Sequence, residues 1–182
     1  MSLNRARFLR TKSISTDNAM AKIYHQHIAL NLGLGKVKMI NHLYMPETIM
    51  EDQHYQLYWD NPIITDRPVP HNMPDIAVFF KIEKKAILLD VKIPVDDNMN
   101  RAYTEKVEKY RDLAFEMREI YGFQSVIVMP LIISVNGLVE IHLAENTKKL
   151  GLDTSIISAA HTRHNHIPQY GMIQLFGVHL GE

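Results

Sequence analysis

The sequence contains no cysteine. That removes Cys-ligated zinc, iron–sulfur clusters, thiol nucleophiles and disulfide frameworks from consideration, and it suits a reducing compartment. No apolar run approaches the 18 or more residues of a membrane span, so no membrane association is expected. The opening MSLNRARFLRTKSISTDN is basic but has no apolar core behind it, so it is not expected to act as a signal peptide. Repeats, low-complexity tracts and Gly/Ser linkers are also missing. Gly33-Leu-Gly35 is too short for a phosphate loop, and no Ser/His/Asp arrangement surrounds a nucleophile elbow. What is there is an ordinary globular chain: 182 residues, 46% hydrophobic and 22% charged, enough for one domain with a sizeable core.

Charge is balanced overall but not along the chain. Residues 1–40 hold seven Lys and Arg against one acid, whereas residues 41–100 hold five against ten. A basic segment beside an acidic one suits a polyanion partner and a site rich in carboxylates.

Periodicity predicts an α/β domain. Met20, Ile23, Tyr24, His27, Ile28 and Asn31 follow helical spacing, and Gly33 and Gly35 end that helix. Pro46–Asp52 reads as one or two helical turns, Tyr55–Trp59 as a strand, and Pro62–Pro74 as an ordered loop. DIAVFFKIEKKAILLDVKIP, residues 75–94, reads as a hairpin turning at Glu83-Lys84-Lys85. Its alternation predicts Ile76, Val78 and Phe80 on one face with Ile87, Leu89 and Val91. Asp75, Ala77, Phe79 and Lys81 then share the other face with Ala86, Leu88, Asp90 and Lys92. Tyr103, Val107, Tyr110, Ala114, Met117 and Tyr121 mark a single amphipathic helix ending at Gly122. Gln124–Val135 is an apolar strand whose Pro130 points to an edge or bulge. Helices are expected over 139–150 and 154–164. The expected order is α-β-β-β-α-β, a mixed central sheet flanked by helices. The organisation read from the chain is a basic N-terminal segment (1–16), a core domain (17–150) and a C-terminal helical appendage (151–182).

The chemistry gathers in the hairpin, which sets Asp75, Asp90 and Lys92 on one face. Asp90 and Lys92, two positions apart on a strand, are about 6.8 Å apart, a span that brackets a phosphate. Two carboxylates near 4 Å repel by about 4 kcal/mol at an effective dielectric of 20. A divalent cation turns that penalty into ligation, and Mg²⁺ accepts a few carboxylates with waters and phosphate oxygens. A nearby lysine steadies charge on a phosphoryl group. Such residues suit metal-dependent phosphodiester hydrolysis. The run His161, His164, His166 lacks helical ligand spacing and reads as a polar tail, while His25 and His27 read as surface or core-edge residues.

Three motifs in order, His71-Asn-Met-Pro-Asp75, Asp90-Val-Lys-Ile-Pro94 and Glu105-Lys106-Val-Glu-Lys109-Tyr110, resemble the PD-(D/E)xK signature. More narrowly, they resemble the restriction-like endonuclease domain of site-specific non-LTR retrotransposon polyproteins. Ala21-Lys-Ile-Tyr-His25, Tyr58-Trp-Asp60 and Thr65-Asp-Arg67 are also similar to that family, so the likeness spans residues 18–140. The resemblance implies a restriction-endonuclease-like core and a Mg²⁺- or Mn²⁺-dependent endodeoxyribonuclease that nicks or cleaves DNA. In a retroelement the nick exposes a 3′-hydroxyl that primes reverse transcription. Asp75 and Asp90 are then metal ligands. Lys92 takes first place as the signature lysine because its strand position ties it to Asp90; Lys106 is second, since many retrotransposon members carry a small residue at the strand position and use a helical lysine. Glu47, one turn from Glu51, is the candidate for a further metal-binding acid. His71, Lys109 and Tyr110 are candidates for DNA contact. DNA and the reverse-transcriptase region of a parent polyprotein are the implied partners, and an intracellular, in eukaryotes nuclear, location follows. The alternative is an inactive domesticated domain of the same fold that binds DNA or a protein.

Overall fold

A computed structural model describes residues 16–94 and 98–164. The order is α1 (Thr16–Asn31), β1 (Ile49–Glu51), β2 (Tyr55–Trp59), β3 (Ile76–Phe80), β4 (Lys85–Lys92), α2 (Met99–Lys109), α3 (Arg111–Tyr121), β5 (Ser125–Ile132), α4 (Leu143–Lys149) and α5 (Ser155–His164). The five strands form one mixed sheet in sequence order. β1 to β4 make an antiparallel meander, and β5 joins β4 in parallel. Parallel neighbours need a crossover, and α2 with α3 supplies it.

The hairpin has the face assignment that its alternation predicts. Ile76 pairs with Leu89, Val78 with Ile87 and Phe79 with Ala86. The turn itself takes residues 81–84, with Lys84 at φ 48°, and Lys85 already begins β4. Ile76, Val78, Ile87, Leu89 and Val91 meet Met20, Ile23 and Ile28 of α1 and Ile156 and Ala160 of α5. On the opposite face Ala77, Phe79, Ala86 and Leu88 meet Tyr110, Leu113 and Met117. Both faces of β3 and β4 are therefore covered, which explains why these strands read as near-continuous apolar runs.

Four features differ from the sequence expectations. The stretch read as helical turns before Asp52 is instead the short edge strand β1, paired to β2 through Met50 and Leu57. An edge partner was available there, and β-branched Thr48 and Ile49 suit extended backbone. The single helix over 100–121 is two, broken at Tyr110 (φ −104°, ψ 10°), with Gly122 capping the second in the left-handed conformation as expected. His25 is not at the surface or core edge but fully buried, as is its neighbour Gln26. The C-terminal part set apart as an appendage enters the core as far as it is described: Leu152, Ile156 and Ala160 pack in the same cluster as α1. β5 lies at the sheet edge, the position that suits Pro130. The basic segment up to residue 15, residues 95–97 and residues 165–182, with His166, lie outside the described residues, as do the side chains of His161 and His164.

Candidate active site

Pro74 cannot donate to a strand ladder, so β3 begins just after it and Asp75 stands at the sheet's end. Continuing the β3–β4 register one residue past Ile76 and Leu89 sets Asp75 opposite Asp90. On the other side, the Asp60 N–H donates to the Asp75 carbonyl at 2.9 Å. Asp60, Asp75 and Asp90 thus form one row across three adjacent strands, just after β2, just before β3 and two residues short of the end of β4. The sequence reading singled out Asp75 and Asp90 but gave Asp60 no role. Its only local signal was its place directly after the Tyr-Trp end of a strand.

Each carboxylate of the facing pair is engaged. Asp75 Oδ2 accepts the Val91 N–H at 2.8 Å, which ties the start of β3 to the end of β4. Asp90 is 3% exposed, a burial that a carboxylate tolerates only with partners. Its Oδ1 accepts the Tyr110 hydroxyl at 2.5 Å and lies 3.5 Å from Lys109 Nζ, and its Oδ2 is ion-paired with Lys106. Lys109 also donates to the Tyr110 hydroxyl oxygen at 2.8 Å. Tyr110 is fully buried, and its hydroxyl further reaches the Met73 carbonyl at 3.2 Å. Burial first, then the negative charges of Asp90, Asp75 and Asp60, push its phenol well above the usual range. It is therefore neutral at every physiological pH, a donor held against Asp90.

The helix break explains the convergence. Lys106, Lys109 and Tyr110 fall within little more than one turn, and the interruption at Tyr110 lets all three reach one carboxylate. Among the described residues, Lys106 and Lys109 supply the ammonium groups within 4 Å of Asp90. Lys92, ranked first from sequence, shares the Asp90 face but is exposed. It borders a cavity of about 250 Å³ with Arg101 and Glu105. Strand spacing related Lys92 to Asp90 but gave no information on how the next helix docks.

Glu47 does not join the pair. It is exposed and lines a cavity beneath α1 with Gln26, Tyr44 and Met50, whereas the Asp90 carboxylate faces α2 and α3. Glu51 pairs with Lys81 at the far end of the sheet. His71 is exposed on the loop before Asp75. That loop is ordered by the Ile63 N–H to Asn72 carbonyl bond at 2.8 Å and by Tyr121 donating to the Ile64 carbonyl at 2.9 Å.

The fit for a divalent ion rests on two facing carboxylates. Mg²⁺ takes one or two carboxylates and completes its shell with waters and phosphate oxygens, so the pair suits it in number and hardness. Among the described residues no group of three His, Asp or Glu is gathered as a fuller cage. No family model matches this chain, and no curated protein matches it.

Proposed function

We propose that this domain is a metal-dependent DNA endonuclease of the PD-(D/E)xK type that nicks or cleaves phosphodiester bonds. One observation carries the reading: Asp75 and Asp90 face each other at a strand end while Lys106 reaches Asp90 from the following helix. Two carboxylates and an ammonium group, a combination suited to metal-dependent phosphodiester hydrolysis, meet at one point on the sheet. In the retroelement setting implied by the resemblance, the freed 3′-hydroxyl primes reverse transcription.

Asp75 and Asp90 would hold Mg²⁺ or Mn²⁺, which when bound supplies Lewis-acid charge to the phosphoryl group. Tyr110 orients Asp90 by donating to one oxygen and leaves the other facing Lys106. Lys106 trades its pairing with Asp90 for the phosphoryl oxygens as negative charge develops there, the role in which a positioned cation lowers a barrier. Water attacks phosphorus as the bond to the 3′-oxygen breaks, leaving a 5′-phosphate and a 3′-hydroxyl. Lys109, less buried than Lys106, would contact the DNA backbone. Exposed His71 flanks the same strand end.

The experiment is nicking of supercoiled plasmid with Mg²⁺ or Mn²⁺, run beside EDTA and an Asp90→Ala variant. Relaxed circles that require both ion and Asp90 support the reading. No nicking with either ion, together with calorimetry that detects no metal binding, overturns it. The second reading is a non-enzymatic domain that keeps this cluster to hold α2 against β4. The burial of Asp90 and its contacts with Tyr110, Lys106 and Lys109 favour that reading.

A further inference from the structure

The loop that leads into Asp75 is fastened to α3 and the residue before it at three points. Tyr121 donates to the Ile64 carbonyl at 2.9 Å, Arg67 is ion-paired through Nη2 with Glu116, and the Tyr110 hydroxyl lies 3.2 Å from the Met73 carbonyl. That hydroxyl also donates to Asp90. This one segment therefore touches both halves of the carboxylate pair, the strand that carries Asp90 and the loop that ends at Asp75.

The middle fastening joins a buried group to an exposed one. Glu116 is 5% exposed, whereas the Arg67 side chain is 69% exposed. Among the described residues Arg67 supplies the cation within ion-pair reach of Glu116, and its guanidinium also lies 5.9 Å from the Phe115 ring centroid. Around the pair the loop does not close onto the helix. Pro68 and Pro70 stand across a cavity of about 330 Å³ from Asp112 and Phe115, while Val69 between them reaches the core. The ion pair spans that gap. An apolar pair of similar volume would serve stability as well or better, so what the charged fork adds is a defined geometry.

The loop is also too stiff to absorb a shift. Pro68, Pro70 and Pro74 have fixed φ, and Ile63 and Asn72 are joined by two hydrogen bonds, at 2.8 and 3.2 Å. A displacement at Arg67 is therefore passed on toward Asp75. We propose that Arg67 and Glu116 are positioning residues: their ion pair fixes Asp75 against Asp90 and so sets the affinity of the two carboxylates for a divalent ion. The inference rests on the proposed metal site, and neither residue would touch the ion itself.

The test is calorimetric titration of the full chain with Mn²⁺ in the absence of DNA, a readout independent of cleavage. Wild type is compared with Arg67→Met, Glu116→Gln, the double variant Arg67→Met/Glu116→Leu, Asp90→Asn and Lys81→Met. The last breaks the ion pair with Glu51 at the far end of the sheet. Each is checked for fold by circular dichroism, and its urea midpoint is measured. The double variant removes both charges and leaves no orphaned carboxylate, so it keeps the fold where Arg67→Met alone does not. Mn²⁺ affinity should fall about tenfold in Arg67→Met and in the double variant, the scale for residues that hold metal ligands in place. Equal losses in the two would show that the pair acts as a unit. Glu116→Gln keeps an acceptor for Arg67 and should lose less. Lys81→Met should bind as wild type even where its urea midpoint falls. Two results overturn the positioning role and leave the metal site: Arg67→Met and the double variant binding as wild type, or Lys81→Met losing as much affinity as they do. Wild type that binds no Mn²⁺, or binding that survives Asp90→Asn, removes the metal site and this inference with it.

Discussion

Tyr110 donates its hydroxyl proton to Asp90 at 2.5 Å, linking the break between α2 and α3 to the end of β4. Both groups are buried, so each is the other's means of tolerating that burial. Tyr110→Phe leaves Asp90 short of one donor, and the cost of such a loss is about 1–3 kcal/mol. Urea unfolding should show a lower midpoint at an unchanged slope. An unchanged midpoint would mean that the bond contributes nothing.

The two lysine candidates separate by position. Lys106 is ion-paired with Asp90, while Lys92 is exposed beside Arg101. If the domain cleaves DNA, Lys106→Met should reduce single-turnover nicking by about 10²–10³-fold, the scale of losing one charge-stabilising donor. Lys92→Ala should leave the chemical step nearly intact. The reverse ranking would return the catalytic place to the strand.

Stability should depend on His25. Burial pulls its imidazole from 6.5 down to about 4, so the folded state holds the neutral form. At pH values between those two the unfolded chain binds the additional proton. The stabilisation is therefore complete above about 6.5 and is lost as the pH falls toward 4. Its full size is about 3 kcal/mol. Stability measured from pH 7.5 to 4 should fall more steeply in wild type than in His25→Phe. Parallel profiles would show that the imidazole is not the group responsible.

Gly122 closes α3 at φ 65°, and a Cβ there meets nothing within 4 Å. Gly122→Ala therefore isolates the backbone term, about 1–2 kcal/mol for an L-residue in the left-handed region. A thermal melt with a lowered midpoint and an unchanged circular dichroism spectrum at 25 °C is the expected outcome.

Ile156 tests whether α5 belongs to the core. It is 2% exposed and packs in the cluster with α1 and the sheet. Ile156→Ala should cost about 2–5 kcal/mol of global stability with one cooperative transition. A separate early transition, with the main one unmoved, would make the C-terminal helix an independent unit.

Local pattern determined much of this protein. The alternation of residues 75–92 determined which side chains share a face, because a slip of one residue would turn every apolar group of a strand to the wrong side. The same alternation placed Asp75 and Asp90 together, and Gly122 and Pro130 marked a helix end and an edge strand as their backbone chemistry requires. Periodicity is blind to docking, and the rest was decided there. Only the crossover of α2 and α3 over the sheet brought Lys106, Lys109 and Tyr110 to Asp90 and left Lys92 outside. Pairing with β2 drew Ile49–Glu51 into a strand, and the fold-back over α1 buried Gln26 and carried Glu47 to the opposite face. Strand parity is a property of consecutive residues. Which cation reaches a buried carboxylate depends on contacts between segments far apart in the chain.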